Sequence, residues 1–225
     1  MPKPQTPLTS SIVKQYGLAA GANVAGIASA GAFTAAPESF HPTDALKDCL
    51  SVIVLGAAFP PEALDSSAVY TEHRKDMIEQ INGIAKEVEK RIKEHGYKAK
   101  MISGFGGRWV DGISHGLISL KHAAELAGLG VIGENYLLNN PEYGNLLWFS
   151  AVLTDAELTP DERIQESACD HCGKCVQACP SGALHDPASF GKKACAGTFM
   201  KMVEGKWVIS CYLCRKVCPR WLGNR

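Results

Sequence analysis

Cys169-Asp-His-Cys172-Gly-Lys-Cys175-Val-Gln-Ala-Cys179-Pro180 is the stretch that decides how the rest of the chain is read. Three thiols two residues apart can wrap one face of an iron–sulfur cubane from a tight loop whose backbone N–H groups point at the sulfides. The fourth, three residues on and followed by proline, falls on a turn that faces away and serves a second centre. A second, irregular motif follows: Cys195, then Cys211-Tyr-Leu-Cys214-Arg-Lys-Val-Cys218-Pro219. Eight of the nine cysteines lie between 169 and 218, and Cys49 stands alone before them. Disulfide frameworks belong to small secreted domains, which this composition does not suggest. Structural zinc is the bland alternative, but zinc knuckles have no need of two C-x-x-x-C-P endings.

The first motif is the run found in bacterial ferredoxins, and their crossover rule partitions the ligands. One [4Fe-4S] cluster takes Cys169, Cys172, Cys175 and Cys218, and the other takes Cys179, Cys195, Cys211 and Cys214. Cys195 stands in for a local thiol missing from the second motif. Residues 191–225 also carry eight Lys/Arg against one acid, Glu204. These cations balance thiolate and sulfide charge, or form a docking patch for an acidic electron donor.

Outward from the cysteines, the remaining sequence is that of an ordinary globular protein. Hydrophobic residues make up 46% and charged residues 20%, with 23 basic against 23 acidic side chains. A nucleic-acid binder is expected to be basic, and this chain is neutral overall. No stretch approaches the ~20 apolar residues of a membrane span. The N-terminus shows no export signal, so a cytoplasmic location is expected. The spacing predicts helices over about 8–22, 66–94 and 117–127, the middle one from Met77, Ile81, Ile84, Ala85, Val88 and Ile92. Apolar runs predict strands at 23–28, 51–57, 97–102 and 146–153. Gly96 and Gly128 read as helix stops. Alternating strands and helices predict an α/β (α+β) N-terminal sandwich domain over 1–160, with a small ferredoxin-like two-cluster domain over 161–225. Trp109 and Trp148 read as core, and Cys49 as a buried small hydrophobe.

Ahead of the clusters, Ala124-Glu-Leu-Ala-Gly-Leu-Gly-Val-Ile-Gly-Glu-Asn-Tyr-Leu-Leu138, then Pro141-Glu-Tyr-Gly144 and Ala151-Val-Leu-Thr-Asp155, resemble the epoxyqueuosine reductase and reductive dehalogenase superfamily. Ala25-Gly-Ile-Ala28 and Ser51-Val-Ile-Val-Leu55 are similar to that family's first strands. The resemblance implies a corrinoid (cobalamin) held by the N-terminal domain and reduced through the clusters, with Gly130, Gly133 and Asn135 in the cofactor-binding element. It also implies a proton donor ahead of Ala-Gly-Leu-Gly. Counting back lands on Ser114-His115, with Asp111 three residues early, so the donor is His115 or Asp111, or is absent. A histidine suits acid catalysis by its pKa. Gly128-Leu-Gly130-x-x-Gly133 mimics a dinucleotide fingerprint but follows a helix instead of opening one, which argues against that reading. The chain ends where the family's tRNA-handling repeats begin and is not basic overall, which argues against a tRNA substrate.

The reading is thus an iron–sulfur oxidoreductase that takes electrons from a ferredoxin or flavodoxin and passes them to a small-molecule or corrinoid acceptor. The rival readings are a non-catalytic electron carrier and an accessory protein that activates a partner enzyme.

Overall fold

A computed structural model describes residues 7–110, 113–166, 169–186 and 190–224. The first half contains α1 (Ser10–Ala19), β1 (Val24–Ser29), α2 (Pro42–Ala45), β2 (Ser51–Ala58), α3 (Ser67–Glu94), β3 (Ala99–Ile102), β4 (Arg108–Val110) and β5 (Ile113–His115). Then come α4 (Leu120–Leu126), β6 (Val131–Ile132), β7 (Leu138–Asn139), β8 (Leu147–Thr154), α5 (Lys174–Gln177), α6 (Lys192–Phe199), β9 (Met200–Val203), β10 (Lys206–Ile209) and α7 (Leu213–Lys216). The fold is mixed α/β. It divides into two units that are discontinuous in sequence: residues 1–57, 78–129 and 148–164 form one, and 58–77, 130–147 and 165–225 the other.

The first unit is built on a four-stranded sheet in the order β1-β2-β8-β3. β1 runs antiparallel to β2 and β3 antiparallel to β8. Seven of the eight β2 residues are buried, as an unbroken apolar run on a doubly covered strand requires. Both covers can be traced through glycines. A Cβ on Gly17 of α1 would collide with Leu55, so α1 lies on the Leu55 face. A Cβ on Gly26, whose register partner is Val54, would strike the Ala127 carbonyl at the end of α4. Successive strand residues face opposite ways, so α1 and the end of α4 cover opposite faces. α3 lies on the α1 side, where Ile84 comes within 3.9 Å of the space a Cβ on Gly21 would fill. Its Ile81, Ile84, Ala85, Val88 and Ile92 are all buried, the helical periodicity read from sequence.

The ends are set by local chemistry. Thr9 caps α1, its hydroxyl accepting from the Ile12 N–H at 3.3 Å. Gly96 and Gly128 both take positive φ just after a helix. Trp148 is half-buried and donates to the Gly104 carbonyl at 2.8 Å. Trp109, expected in the core, is 77% exposed. It sits mid-strand in a two-stranded ribbon, β4 with β5, and a ribbon of two strands buries little of its own surface. Cys49 is buried, donates to the Ser51 carbonyl, and its thiol is pushed up to about 11 by burial. Among the described residues, no helix is long and apolar enough to cross a membrane.

Candidate metal centre

The cysteines lie on short elements of the second unit. Gly173, at φ +70, turns the chain between Cys172 and α5, which carries Cys175. α5 packs on α7, which carries Cys214, and Cys218 follows α7 at once. The loops holding Cys169 and Cys218 are tied by Arg220, whose guanidinium donates to both oxygens of Asp170 at 3.0–3.2 Å. That partner holds the Asp170 carboxyl below the usual carboxylate range. Glu134 braces the same loop, accepting from the Gly173 N–H at 3.2 Å, with His171 Nδ1 3.7 Å away. On the other side Asn224 N–H donates to the Pro141 carbonyl. Gly144 is approached so closely by the Arg220 and Trp221 carbonyls that no side chain fits there.

The result is a cavity whose lining includes Cys169, Cys172, Cys175 and Cys218, together with Glu134, Asn135 and Asn139. These four thiols are the set that the crossover rule assigns to one cluster. Burial pushes Cys175 up to about 11 and also raises Cys218, with the neighbouring thiols adding to both effects. Crowded, desolvated thiols are costly to ionise unless a cation joins them, which is the electrostatic character of a metal site.

The remaining four cysteines occupy linked segments. Burial works against Cys179, but hydrogen bonds from the Ser181 hydroxyl and from the backbone of Ser181, Leu184 and Ala183 outweigh it and lower its pKa. Gly191, which leads into the Cys195 helix, donates to the Ala183 carbonyl at 3.0 Å. Ser210, beside Cys211, donates to the Phe199 carbonyl at 2.8 Å, closing the base of the β9–β10 hairpin.

Two buried groups add to the fit. Arg215, between Cys214 and Cys218, is only 4% exposed, and its Nη1 has no hydrogen-bond partner. Its guanidinium lies over the Phe59 ring at 5.4 Å, and a buried cation on the segment that carries two of the cysteines suits the net negative charge of a tetrathiolate cluster. Asn145, 1% exposed, donates to the Arg215 carbonyl at 3.2 Å and hydrogen-bonds Cys218. The cavity, the buried guanidinium and the thiol-directed N–H groups fit an iron–sulfur cluster. Neither Arg215 nor Asn145 bears a sequence mark that would have singled it out.

The residues implied for a corrinoid fall in this same unit. A Cβ on Gly133 would lie 3.2 Å from Cys169 and 2.6 Å from the Asn139 amide. Asn135 lines the cysteine cavity and accepts from the Leu137 N–H at 3.0 Å. Gly130, at φ +154, is pressed against the Asn139 carbonyl. His115 belongs to the other unit, half-buried opposite Arg108 in the β4–β5 ribbon, its ring 5.8 Å from that of Phe40. Asp111 lies outside the described residues. Tyr70 is buried between Phe59 and Tyr212, with ring centroids at 5.6 and 4.8 Å.

A 4Fe-4S binding domain model matches residues 162–185. The epoxyqueuosine reductase of Bacillus subtilis (strain 168) is 30% identical over 118 residues, covering 48% of this chain and 30% of that protein. The epoxyqueuosine reductase of Lactococcus garvieae (strain Lg2) is 25% identical over 207 residues, 81% of this chain and 55% of that one. The chain thus matches between a third and about half of the length of these relatives. Among solved structures, a reductive dehalogenase described by a B12-dependent mechanism superposes with TM-score 0.73 at 20% identity, over 95% of this chain and 31% of the other. An epoxyqueuosine reductase in complex with an epoxyqueuosine-modified tRNA-Tyr stem loop superposes with TM-score 0.66 at 20% identity, over 95% and 65%.

That complex overturns the expectation against tRNA. The expectation leaned on zero net charge, which is a whole-chain sum. Residues 191–225 hold eight basic groups against one acid, and residues 1–190 hold fifteen against twenty-two, so +7 and −7 cancel. A neutral total therefore hides a strongly basic segment and excludes no anionic partner.

Proposed function

For this chain, a relative of the epoxyqueuosine reductases and reductive dehalogenases, we propose the role of an iron–sulfur reductase with two [4Fe-4S] clusters. Cys169, Cys172, Cys175 and Cys218 hold one, and Cys179, Cys195, Cys211 and Cys214 hold the other. The observation that carries the reading is a cavity whose lining includes the first four thiols, drawn together from Cys169 to Cys218. Bound clusters would supply one-electron transfer from a ferredoxin or flavodoxin. The protein's own part is to desolvate the thiols, to set Arg215 as a buried cation and to hold the loops through Asp170–Arg220.

A corrinoid is the acceptor we propose, on the likeness to the B12-dependent dehalogenase. His115 and Asp111 remain the proposed proton donors. Epoxyqueuosine carried on a tRNA stem loop and a small organic halide are the two substrates to offer first, since each belongs to a named neighbour.

Anaerobic reconstitution tests the metal reading. About eight iron and eight sulfide per chain are expected, falling to about half in Cys218→Ser and in Cys195→Ser. A protein that takes up zinc but no sulfide refutes it. Cobalamin added to the reconstituted protein should shift the corrinoid absorption spectrum. Full iron with no such shift removes the corrinoid and leaves an electron carrier.

A further inference from the structure

The fifteen residues between Cys195 and Cys211 are long for a spacer between ligands of one cluster, and the structure makes most of them into a hairpin. β9 and β10 pair antiparallel through Val203-Glu204-Gly205-Lys206. Glu204 and Gly205 both take positive φ, +48 and +76, which is the two-residue turn that matches strand twist. The base is anchored: Ile209 is buried and its N–H donates to Thr71 Oγ1 at 2.8 Å. Beyond the base the ribbon is bare. Trp207 is 60% exposed and Met202, directly opposite, 52%, with Met200 and Val203 also exposed. Successive strand residues face opposite ways, so Met200, Met202 and Trp207 share one face of the ribbon, and Lys201, Val203 and Lys206, all exposed, share the other; Lys193 is exposed on α6.

We propose that this hairpin is the docking surface for an acidic one-electron carrier protein. The inference rests on the metal reading above. An isolated two-stranded ribbon gains little by displaying Trp, Met and Val to water, so its apolar strip marks a contact surface. Aromatic and methionine side chains edged by charge are the composition of a protein interface. RNA binding draws on several stacking aromatics, whereas this ribbon exposes one ring among methionines and valine. A second copy would bring one +7 segment against another. An acidic protein that takes the exposed hairpin between two of its own segments meets the apolar face and the lysine face together. The hairpin joins two cluster ligands, and its four-residue strands span about 13 Å, so a carrier seated there lies within that reach of Cys211. The exchange is of one electron: the carrier's flavin hydroquinone is oxidised to the semiquinone and cysteine-held iron is reduced, with no bond made or broken.

The test is the binding of an oxidised, acidic flavodoxin to the reconstituted full chain, followed by calorimetry at low and at high salt. Expected are binding that weakens with salt and a loss of about tenfold or more in affinity for Trp207→Ser and for Lys201→Glu/Lys206→Glu. Lys201→Ala/Lys206→Ala, milder for folding, should show a smaller loss in the same direction. Iron and sulfide are assayed in the same samples and should be unchanged. Full iron with no flavodoxin binding, or with binding indifferent to all three variants, overturns the proposal. So does hairpin-dependent binding of a tRNA stem loop, or self-association, in place of flavodoxin binding. Iron-free protein that still binds flavodoxin through the hairpin would instead sink the metal reading and leave the docking surface standing.

Discussion

Single atoms set the metal site, and they can be tested singly. Gly133 has no room for a methyl group between the Asn139 amide and Cys169. Gly133→Ala is expected to lower iron per chain after reconstitution, whereas Gly197→Ala, which meets nothing within 4 Å, should leave it unchanged. Arg220→Ala releases Asp170 and with it the tie between the Cys169 and Cys218 loops. Faster loss of the iron–sulfur absorption in air is the expected outcome, and an unchanged bleaching rate would count against the tie. Acid should act in the same direction. Asp170 is held below its ordinary pKa, so its contribution is present above that value and is lost as pH falls through the lowered one. Cys49 gives the opposite sign. Its thiol is raised from 9.0 to about 11, so the folded state keeps a proton that the unfolded state gives up. Stability falls as pH rises from 9 toward 11, by about 2–3 kcal/mol in all. Urea unfolding of the metal-free protein at the two pH values should show this loss, and Cys49→Ala should reduce it. A cysteine spacing is legible in sequence because ligand geometry constrains it directly. Arg215 and Asn145 are not legible, because an arginine or an asparagine looks the same in sequence whether it is buried or solvated.

At the scale of elements, legibility follows the length of the periodic pattern. α3 shows its apolar spacing over 28 residues and β2 its buried run over eight, and both stand within a residue or two of the sequence reading. Ile81→Ala, at a fully buried α3 position, is expected to cost about 2–5 kcal/mol in urea unfolding. Gly83, with open space around it in the same helix, offers the converse: Gly83→Ala should add about 0.4–1 kcal/mol. The β4–β5 ribbon and the β9–β10 hairpin were not read from sequence. Strands of three or four residues are too short for a periodicity argument, and hydrophobicity alone points Trp109 to the core. The Glu204-Gly205 pair between Met202-Val203 and Trp207-Val208 was the available signal, since glycine at such a position favours a two-residue hairpin turn.

Over the whole molecule, apolar packing is unevenly shared. The first unit is filled by the sheet and its helices. Between 169 and 224 the buried hydrophobic residues, among those described, are Cys175, Ala183, Leu184 and Ile209. The rest of its unit's core comes from residues 58–77 and 130–147, including Phe59, Leu64, Tyr70 and Leu146, so this segment's own share is small and bound metal is expected to add to its stability. Iron removal by a chelator is therefore expected to expose residues 169–224 to hydrogen exchange while β1, β2, β3 and β8 stay protected. Equal protection in both forms would show that side-chain packing suffices. The sequence by itself determined the four strands of the main sheet, the long helix and the eight candidate ligands, because each is written as a local pattern of residue types. Only the tertiary structure decided which thiols share a cavity, which cation of the cysteine segment is buried and which hairpin stands exposed. Those depend on contacts between residues as distant as Asp170 and Arg220, and a local pattern carries no record of them.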